Sequence, residues 1–249
     1  MSSTGTGYDL EASTFSPDGR IFQIEYANKA VDNAETAIAF SCKDGVVIAV
    51  ENFVQSKLLE SHSNPRVFLP SKSVAAGGTG RHNDLKELAF IAADEALQHF
   101  LDKDEMMPIH SLTERVSAYI HAYTLYGRIR PFGCSIFLGS WDDETGAALY
   151  MLDPAGVPIG IKAWSLGKGR QAAKTEIEKL NFRDMTCAQL TKEAARILYS
   201  IRDQTKDKNL EIDMVWVGKH THGRAQMVPA DVLIDAEKFA KSKIDEDME

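Results

Sequence analysis

TAIAFSCKDGVVIAVE, residues 36–51, is the stretch from which the fold is read. Two apolar segments, Thr36–Cys42 and Val46–Glu51, flank Lys43-Asp44-Gly45. Asp-Gly between apolar runs is a strong short-hairpin signal, because these residues tolerate the φ > 0 that a tight turn needs. The spacing predicts an antiparallel strand pair. On its N-terminal side lies Ser16-Pro17-Asp18-Gly19, a turn with Pro where φ near −65° is wanted and Gly where φ turns positive. From Arg20, the positions Ile21, Ile24, Ala27 and Val31, with Phe22, recur at helical spacing. That helix is expected to end near Asp32-Asn33. A helix ahead of the first strand has no core of its own to cover. It must dock onto a later part of the chain or onto another chain.

On the C-terminal side the pattern alternates in blocks. Val67–Leu69 and Ser73–Ala76 predict a second strand pair. After Gly77-Gly78-Thr79-Gly80 comes a helix to about Leu101 with Leu85, Leu88, Ala92 and Ala96 on one face, and a polar break at Asp102–Glu105. A second helix is expected over Ile109–Tyr126. Strands follow at Cys134–Ser140, Ala147–Leu152 and Ile159–Trp164, and helices at Arg170–Leu180 and Cys187–Thr205. Strands at Glu211–Val217 and Ala225–Val228 and a helix over Ala230–Lys241 close the chain. Runs of strands broken by helix pairs do not suit a parallel βαβ sheet. They suit two mainly antiparallel sheets with helix pairs on their outer faces, a four-layer α/β/β/α sandwich. No linker splits it, so a single domain is expected over 15–241. A mobile tail at 1–14 would precede it, and an acidic tail at 242–249 would follow.

The chain has 249 residues, 44% of them hydrophobic and 26% charged, with a net charge of −8. That charge argues against non-specific nucleic-acid binding, which neutralises phosphates. No apolar run approaches the ~20 residues of a membrane span, and the start has no secretory signal, so no membrane partner is expected. Cys42, Cys134 and Cys187 are far apart with no CxxC, and are expected to be reduced, partly buried thiols. Gly167-Lys168-Gly169-Arg170-Gln171-Ala172 matches GxGxxA. Two helices follow it rather than a second parallel strand, so the expectation is a tight strand-to-helix turn and no dinucleotide cofactor. His220-Thr221-His222 lacks a third zinc ligand and reads as a solvated hairpin end, with no metal. Ser242, three residues before Asp245, resembles an acid-directed kinase site. Gly5-Thr6 opens a separate reading. A threonine exposed after a glycine can act as a nucleophile with its own α-amino group as base. An autonomous hydrolase processed at Gly5-Thr6 is therefore the alternative function, although Tyr8-Asp9, not a strand, follows Thr6.

Tyr8-Asp9-Leu10 and then Phe15-Ser16-Pro17-Asp18-Gly19-Arg20-Ile21-Phe22-Gln23-Ile24-Glu25-Tyr26-Ala27 resemble the N-terminal signature of α-type subunits of the 20S proteasome. The similarity continues through Lys43–Val47, Arg130-Pro131-Phe132-Gly133, Asp153-Pro154-Ala155-Gly156 and Lys174–Leu180, and so covers nearly the whole chain. Leu10, Tyr123–Tyr126, Arg130–Cys134 and the acidic tail narrow it to one subunit type. The resemblance implies the sandwich of the N-terminal-nucleophile hydrolase type, with the first helix lying across its top against neighbouring subunits. It implies a ring with six other α subunits, stacked on β-ring subunits, in the cytoplasm and nucleus, serving ATP- and ubiquitin-dependent degradation. It implies no catalytic residue and no cofactor. In this alignment the nucleophile position of catalytic β subunits falls near Glu35-Thr36, the acid on Glu51, and the lysine on Arg66 or Val67. Tyr8, Asp9, Pro17 and Tyr26 match the family's gate cluster. Leu10 stands where an arginine is usual and cannot pair with Asp9. Arg66 and Gly80 match the pocket that takes the C-terminal tails of regulatory ATPases and other activators. There an arginine replaces the usual lysine.

Overall fold

The computed structural model describes residues 7–54, 56, 58–201 and 210–247. Gly5-Thr6 lies outside them. The first hairpin forms as expected: β1 (Ala37–Ser41) pairs antiparallel with β2 (Gly45–Phe53), with Ala37 opposite Val50 and Ser41 opposite Val46. Every residue of β1 is buried, as are all of β2 before Phe53. Such continuous burial marks a strand covered on both faces. Ile38 and Phe40 face a helical layer, while Ala37 and Ala39 face the other sheet. The glycine of the hairpin signal acts differently from expectation. Gly45 is not among the positive-φ glycines. It is needed because a Cβ there would lie 2.3 Å from the Val217 carbonyl oxygen.

Two five-stranded sheets stack face to face. With β3 (Val67–Phe68), β4 (Val74–Gly80), β5 (Cys134–Asp142), β6 (Gly146–Leu152), β7 (Pro158–Gly160), β8 (Ala163–Leu166), β9 (Leu210–Gly218) and β10 (Gln226–Met227), the orders are β10-β9-β2-β1-β8 and β3-β4-β5-β6-β7. All pairings are antiparallel. Preceding β1 is α1 (Phe22–Asp32). α2 (His82–Lys103) and α3 (Ile109–Ala122) cover the second sheet through Leu85, Leu88, Leu112, Val116 and Ile120. α4 (Arg170–Glu178) and α5 (Cys187–Ile201) cover the first through Ile177, Leu190 and Leu198, joined by α6 (Ala230–Asp247) through Ala236 and Ala240. Ile48, Phe137, Leu149 and Val215 fill the space between sheets. This is the α/β/β/α sandwich.

The structure corrects several boundaries. The strand expected over Ser73–Ala76 runs on through Gly77-Gly78-Thr79-Gly80, which form the second half of β4. A Cβ on Gly77 would come 2.8 Å from Ile48 of the facing sheet, and one on Gly78 2.9 Å from Leu85 of α2. The glycines let neighbours on both faces close in. Ile159–Trp164 is not one strand. Ile161 N–H donates to Leu149 O of one sheet, and Lys162 O accepts from Ser41 N–H of the other, so the chain changes sheets between them. α3 stops at Ala122 and α4 at Glu178, earlier than expected, while α6 runs past Lys241 to Asp247. His220 and Thr221 lie in a 3₁₀ turn between the paired strands β9 and β10, a hairpin end as expected. No described helix is long and apolar enough to cross a membrane.

α1 packs on β4 and β5 of its own chain through Phe22, Ala27 and Val31. The segment before it is partly anchored, with Ala12 buried. The Ser16–Gly19 turn forms as read: Gly19 has φ +75°, its N–H donates to Ser16 O at 2.9 Å, and Ser16 Oγ accepts from Arg20 N–H at 3.1 Å.

Candidate functional site

Thr36 sits one residue before β1, fully buried. Its backbone nitrogen is a peptide N–H that donates to Glu51 Oε2 at 2.7 Å. Glu51 is also buried, and its own N–H returns a bond to Thr36 O at 2.9 Å. The Thr36 hydroxyl accepts from Gly169 N–H at 3.2 Å. The chain on either side is enclosed. Lys168 N–H donates to Ala34 O at 2.8 Å, and the Thr79 hydroxyl donates to Glu35 O. Gly167, at φ +91°, lies so close that a Cβ would be 2.2 Å from Glu35 O. The GxGxxA segment is therefore a tight strand-to-helix turn, its glycines required by the 34–36 segment beneath it.

Arg66 is buried just before β3, and Val67 beside it turns into the inter-sheet core. Arg66 Nη2 pairs with Glu35 Oε2 at 2.7 Å, and Nη1 donates to Gly80 O at 3.3 Å. The structure thus brings Arg66 and Gly80 into direct contact. The Glu35 partner is not visible in the sequence. Glu35 precedes the first strand and Arg66 the third, and nothing in their spacing announces the pair. Asp213 of β9 fixes this corner. It accepts from Arg66 N–H at 3.0 Å and Asn52 Nδ2 at 2.9 Å, with His62 Nδ1 at 3.0 Å. Burial, then the Arg66 and Lys86 cations, hold His82 below its ordinary value. A polar groove of about 170 Å³ opens beside the Glu35–Arg66 pair.

At the N-terminal end the residues of the sequence signature also meet. Tyr26 OH donates to Asp9 Oδ2 at 3.1 Å, and Gln23 Nε2 donates to Asp9 O. Burial and then the Asp9 hydrogen bond push the Tyr26 phenol up. Arg20 forks onto Glu25, which fixes the entry to α1. Tyr8 and Pro17 are exposed, and Leu10 is 81% exposed. Phe15, Ile21 and Ile24 line an apolar cavity of about 470 Å³ with Leu125 and Val157. An exposed apolar rim beside an anchored carboxylate suits contact with neighbouring chains.

Two matches to family models divide the chain between them. Residues 8–30 match the N-terminal signature of A-type proteasome subunits, and residues 31–217 match the general proteasome subunit family. The chain belongs to the proteasome α-subunit family. It is 44% identical over 246 residues to the alpha type-3 proteasome subunit of Dictyostelium discoideum, covering 99% of both chains. It is 43% identical to the alpha type-3 subunit of Arabidopsis thaliana, covering 99% of this chain and 98% of the relative. The probable alpha type-7 subunit of Saccharomyces cerevisiae is 39% identical, with 99% and 87% covered. Alpha type-3 is the subunit type that Leu10, Tyr123–Tyr126, the Arg130–Cys134 run and the acidic tail resemble most closely. The α-subunit is a component of the α ring of the core particle.

Within this α-subunit, the other candidate residues are scattered. His220 packs edge-on against Trp216 with ring centroids 4.5 Å apart, and His222 adopts φ +53° at the end of the turn. They form no shared site. Ser242 lies inside α6, exposed, its Oγ donating to Phe239 O at 2.9 Å.

Proposed function

We propose that this α-subunit is a non-catalytic member of its ring, in which it acts as scaffold, axial gate and docking surface for activators. One observation carries the reading: the Thr36 nitrogen is a peptide amide committed to Glu51. A threonine nucleophile of this class needs a free α-amino group as base, and Thr36 has none. Arg66, aligned with the lysine of catalytic subunits, carries a guanidinium held by Glu35 rather than an amine, so it offers no base either. In this reading the chain works with six other α subunits and with β-ring subunits, in the cytoplasm and nucleus, in ATP- and ubiquitin-dependent degradation.

Thr36→Val keeps the side-chain shape and removes the hydroxyl. Particles carrying it should hydrolyse peptides at the wild-type rate per particle. A tenfold or larger loss in intact particles would overturn the non-catalytic assignment. Intact-mass measurement tests the alternative hydrolase, which must lose residues 1–5.

Tyr8, Asp9, Pro17 and Tyr26 are proposed as this subunit's part of the gate, with Leu10 as an apolar contact of the closed state. Tyr26→Phe deletes only the hydroxyl that holds Asp9. It should lower activator-stimulated peptide hydrolysis by about two- to tenfold, the net worth of one hydrogen bond. Unchanged stimulation would remove Tyr26 from the gate. Arg66 and Gly80 are proposed as the contact for an activator's C-terminal carboxylate, which must draw the guanidinium away from Glu35. Ser242 is proposed as a phosphoacceptor for an acid-directed kinase.

A further inference from the structure

Two of the three cysteines, far apart in sequence, meet in the fold. Cys42 follows β1 at the hairpin turn, and Cys187 opens α5. Their Sγ atoms lie 3.5 Å apart, at a sequence separation of 145. Both are buried, Cys187 at 1% and Cys42 at 8% exposure. Gly45 makes the contact possible, because a Cβ there would sit 2.8 Å from Cys187 Sγ. The Cys42 thiol lies 3.2 Å from Gly45 O and 3.4 Å from Asp44 Oδ1, and backbone bonds hold the same turn. Asp44 Oδ1 accepts the Cys187 N–H at 2.8 Å, and Asp44 O accepts the Lys219 N–H at 2.8 Å. The thiols are thus presented to one another by the turn and the helix start. Cys134 lies in β5 of the other sheet.

We propose that Cys42 and Cys187 are a modification site, a thiol pair that forms a reversible intramolecular disulfide with hydrogen peroxide as oxidant. The sulfurs must close by about 1.5 Å to reach bonding distance. Cys42, the less buried, meets the oxidant. Its sulfur attacks one peroxide oxygen, the O–O bond breaks, and a sulfenic acid and one water result. The Cys187 sulfur then displaces the sulfenic oxygen, forming the S–S bond and a second water. The two thiols give up two electrons and two protons, and the peroxide takes both. Cys187, at 1% exposure, is shielded from the oxidant and has the Cys42 sulfur 3.5 Å away, which gives it the resolving role. The Cys42 contact and then burial hold its thiol above the ordinary range, so it gives up its proton only as it attacks.

The test is a non-reducing peptide map of assembled particles, treated or not with hydrogen peroxide, then denatured and alkylated with N-ethylmaleimide. Peroxide should join the Cys42 and Cys187 peptides, at a mass two hydrogens below their sum, in a product that dithiothreitol separates. Cys134 should remain alkylatable. The oxidised chain should melt roughly 5 °C higher, because the bond closes a long loop. Cys187→Ser should divert Cys42 to a sulfinic acid. Two outcomes would overturn the proposal. One is a wild-type chain in which Cys42 over-oxidises, or stays free, while Cys187 remains alkylatable. The other is a pair shielded from alkylation in untreated particles until a chelator releases stoichiometric zinc, which would make Cys42, Asp44 and Cys187 a metal site.

Discussion

Gly80→Ala should destabilise the isolated chain by about 3–5 kcal/mol, enough to lower its melting temperature by roughly 10 °C and to deplete it from assembled rings. Two effects combine. Gly80 has φ +119°, a conformation that L side chains rarely adopt. A Cβ would also lie 2.3 Å from Gly133 O and 2.5 Å from Cys134 Cα, both backbone atoms of the paired strand. Neither can move without opening the β4–β5 ladder at the Gly80–Cys134 pair. Gly19→Ala serves as the control. It has φ +75° with nothing within 4 Å of the added Cβ, so only the conformational cost of about 1 kcal/mol applies. Thermal unfolding of both variants separates strain from clash. Equal losses at the two sites would refute the close-approach account of Gly80. Because Gly80 O also accepts from Arg66, an activator-binding defect in this variant would have to be read against its stability.

Asp84→Ala is the second large effect, expected at about 2–4 kcal/mol. The carboxylate, near the start of α2, accepts from Arg130 Nη1 at 2.6 Å and Nη2 at 2.7 Å, and from Gly133 N–H at 2.8 Å. Arg130 is 57% exposed and can return to water, whereas the Gly133 amide is left buried without an acceptor. The amide dominates the cost. The same geometry fixes the sign of a pH effect. Burial alone would raise the Asp84 carboxyl, but the Arg130 and Gly133 hydrogen bonds outweigh it and hold the group below its ordinary value of 3.8. A depressed folded-state value means that the stabilisation is complete above the unfolded value, and is lost as pH falls through the folded one. In urea unfolding, the gap between wild type and Asp84→Asn should be constant from pH 5 to 7 and shrink below about pH 4. A gap independent of pH down to 3 would show that the carboxylate charge contributes nothing.

The sandwich is legible because its blocks are. Residues 36–51 carry two apolar runs around Asp-Gly, and Leu85, Leu88, Ala92 and Ala96 repeat at helical spacing. What does not show is whatever depends on a distant partner. Glycine weakens a strand interior, and the strand expected from Ser73 stops at Ala76, short of Gly77–Gly80. Their place in β4 follows from Ile48 and Leu85 pressing in from other layers. The split of Ile159–Trp164 is likewise invisible locally, because strand periodicity does not say which sheet supplies the neighbour. At the site, Asp9 and Tyr26 are marked by the N-terminal signature, and they do meet. The Glu35–Arg66 pair and the Cys42–Cys187 contact are not marked. Each joins segments whose proximity only the complete fold creates.

The strand order has a consequence for synthesis. Among the described residues β1 and β2 are the first strands in chain order, yet they end inside their sheet, with Ala37 paired to Leu166 on one side and Val50 to Asp213 on the other. Until β8 and β9 emerge, the nascent hairpin presents two open edges rich in Val, Ile and Ala. Long-range closure of this kind makes folding slow and leaves such edges exposed to other chains. A hairpin that is buried along nearly its whole length in the finished subunit thus keeps both edges unpaired until the last third of the chain has been made.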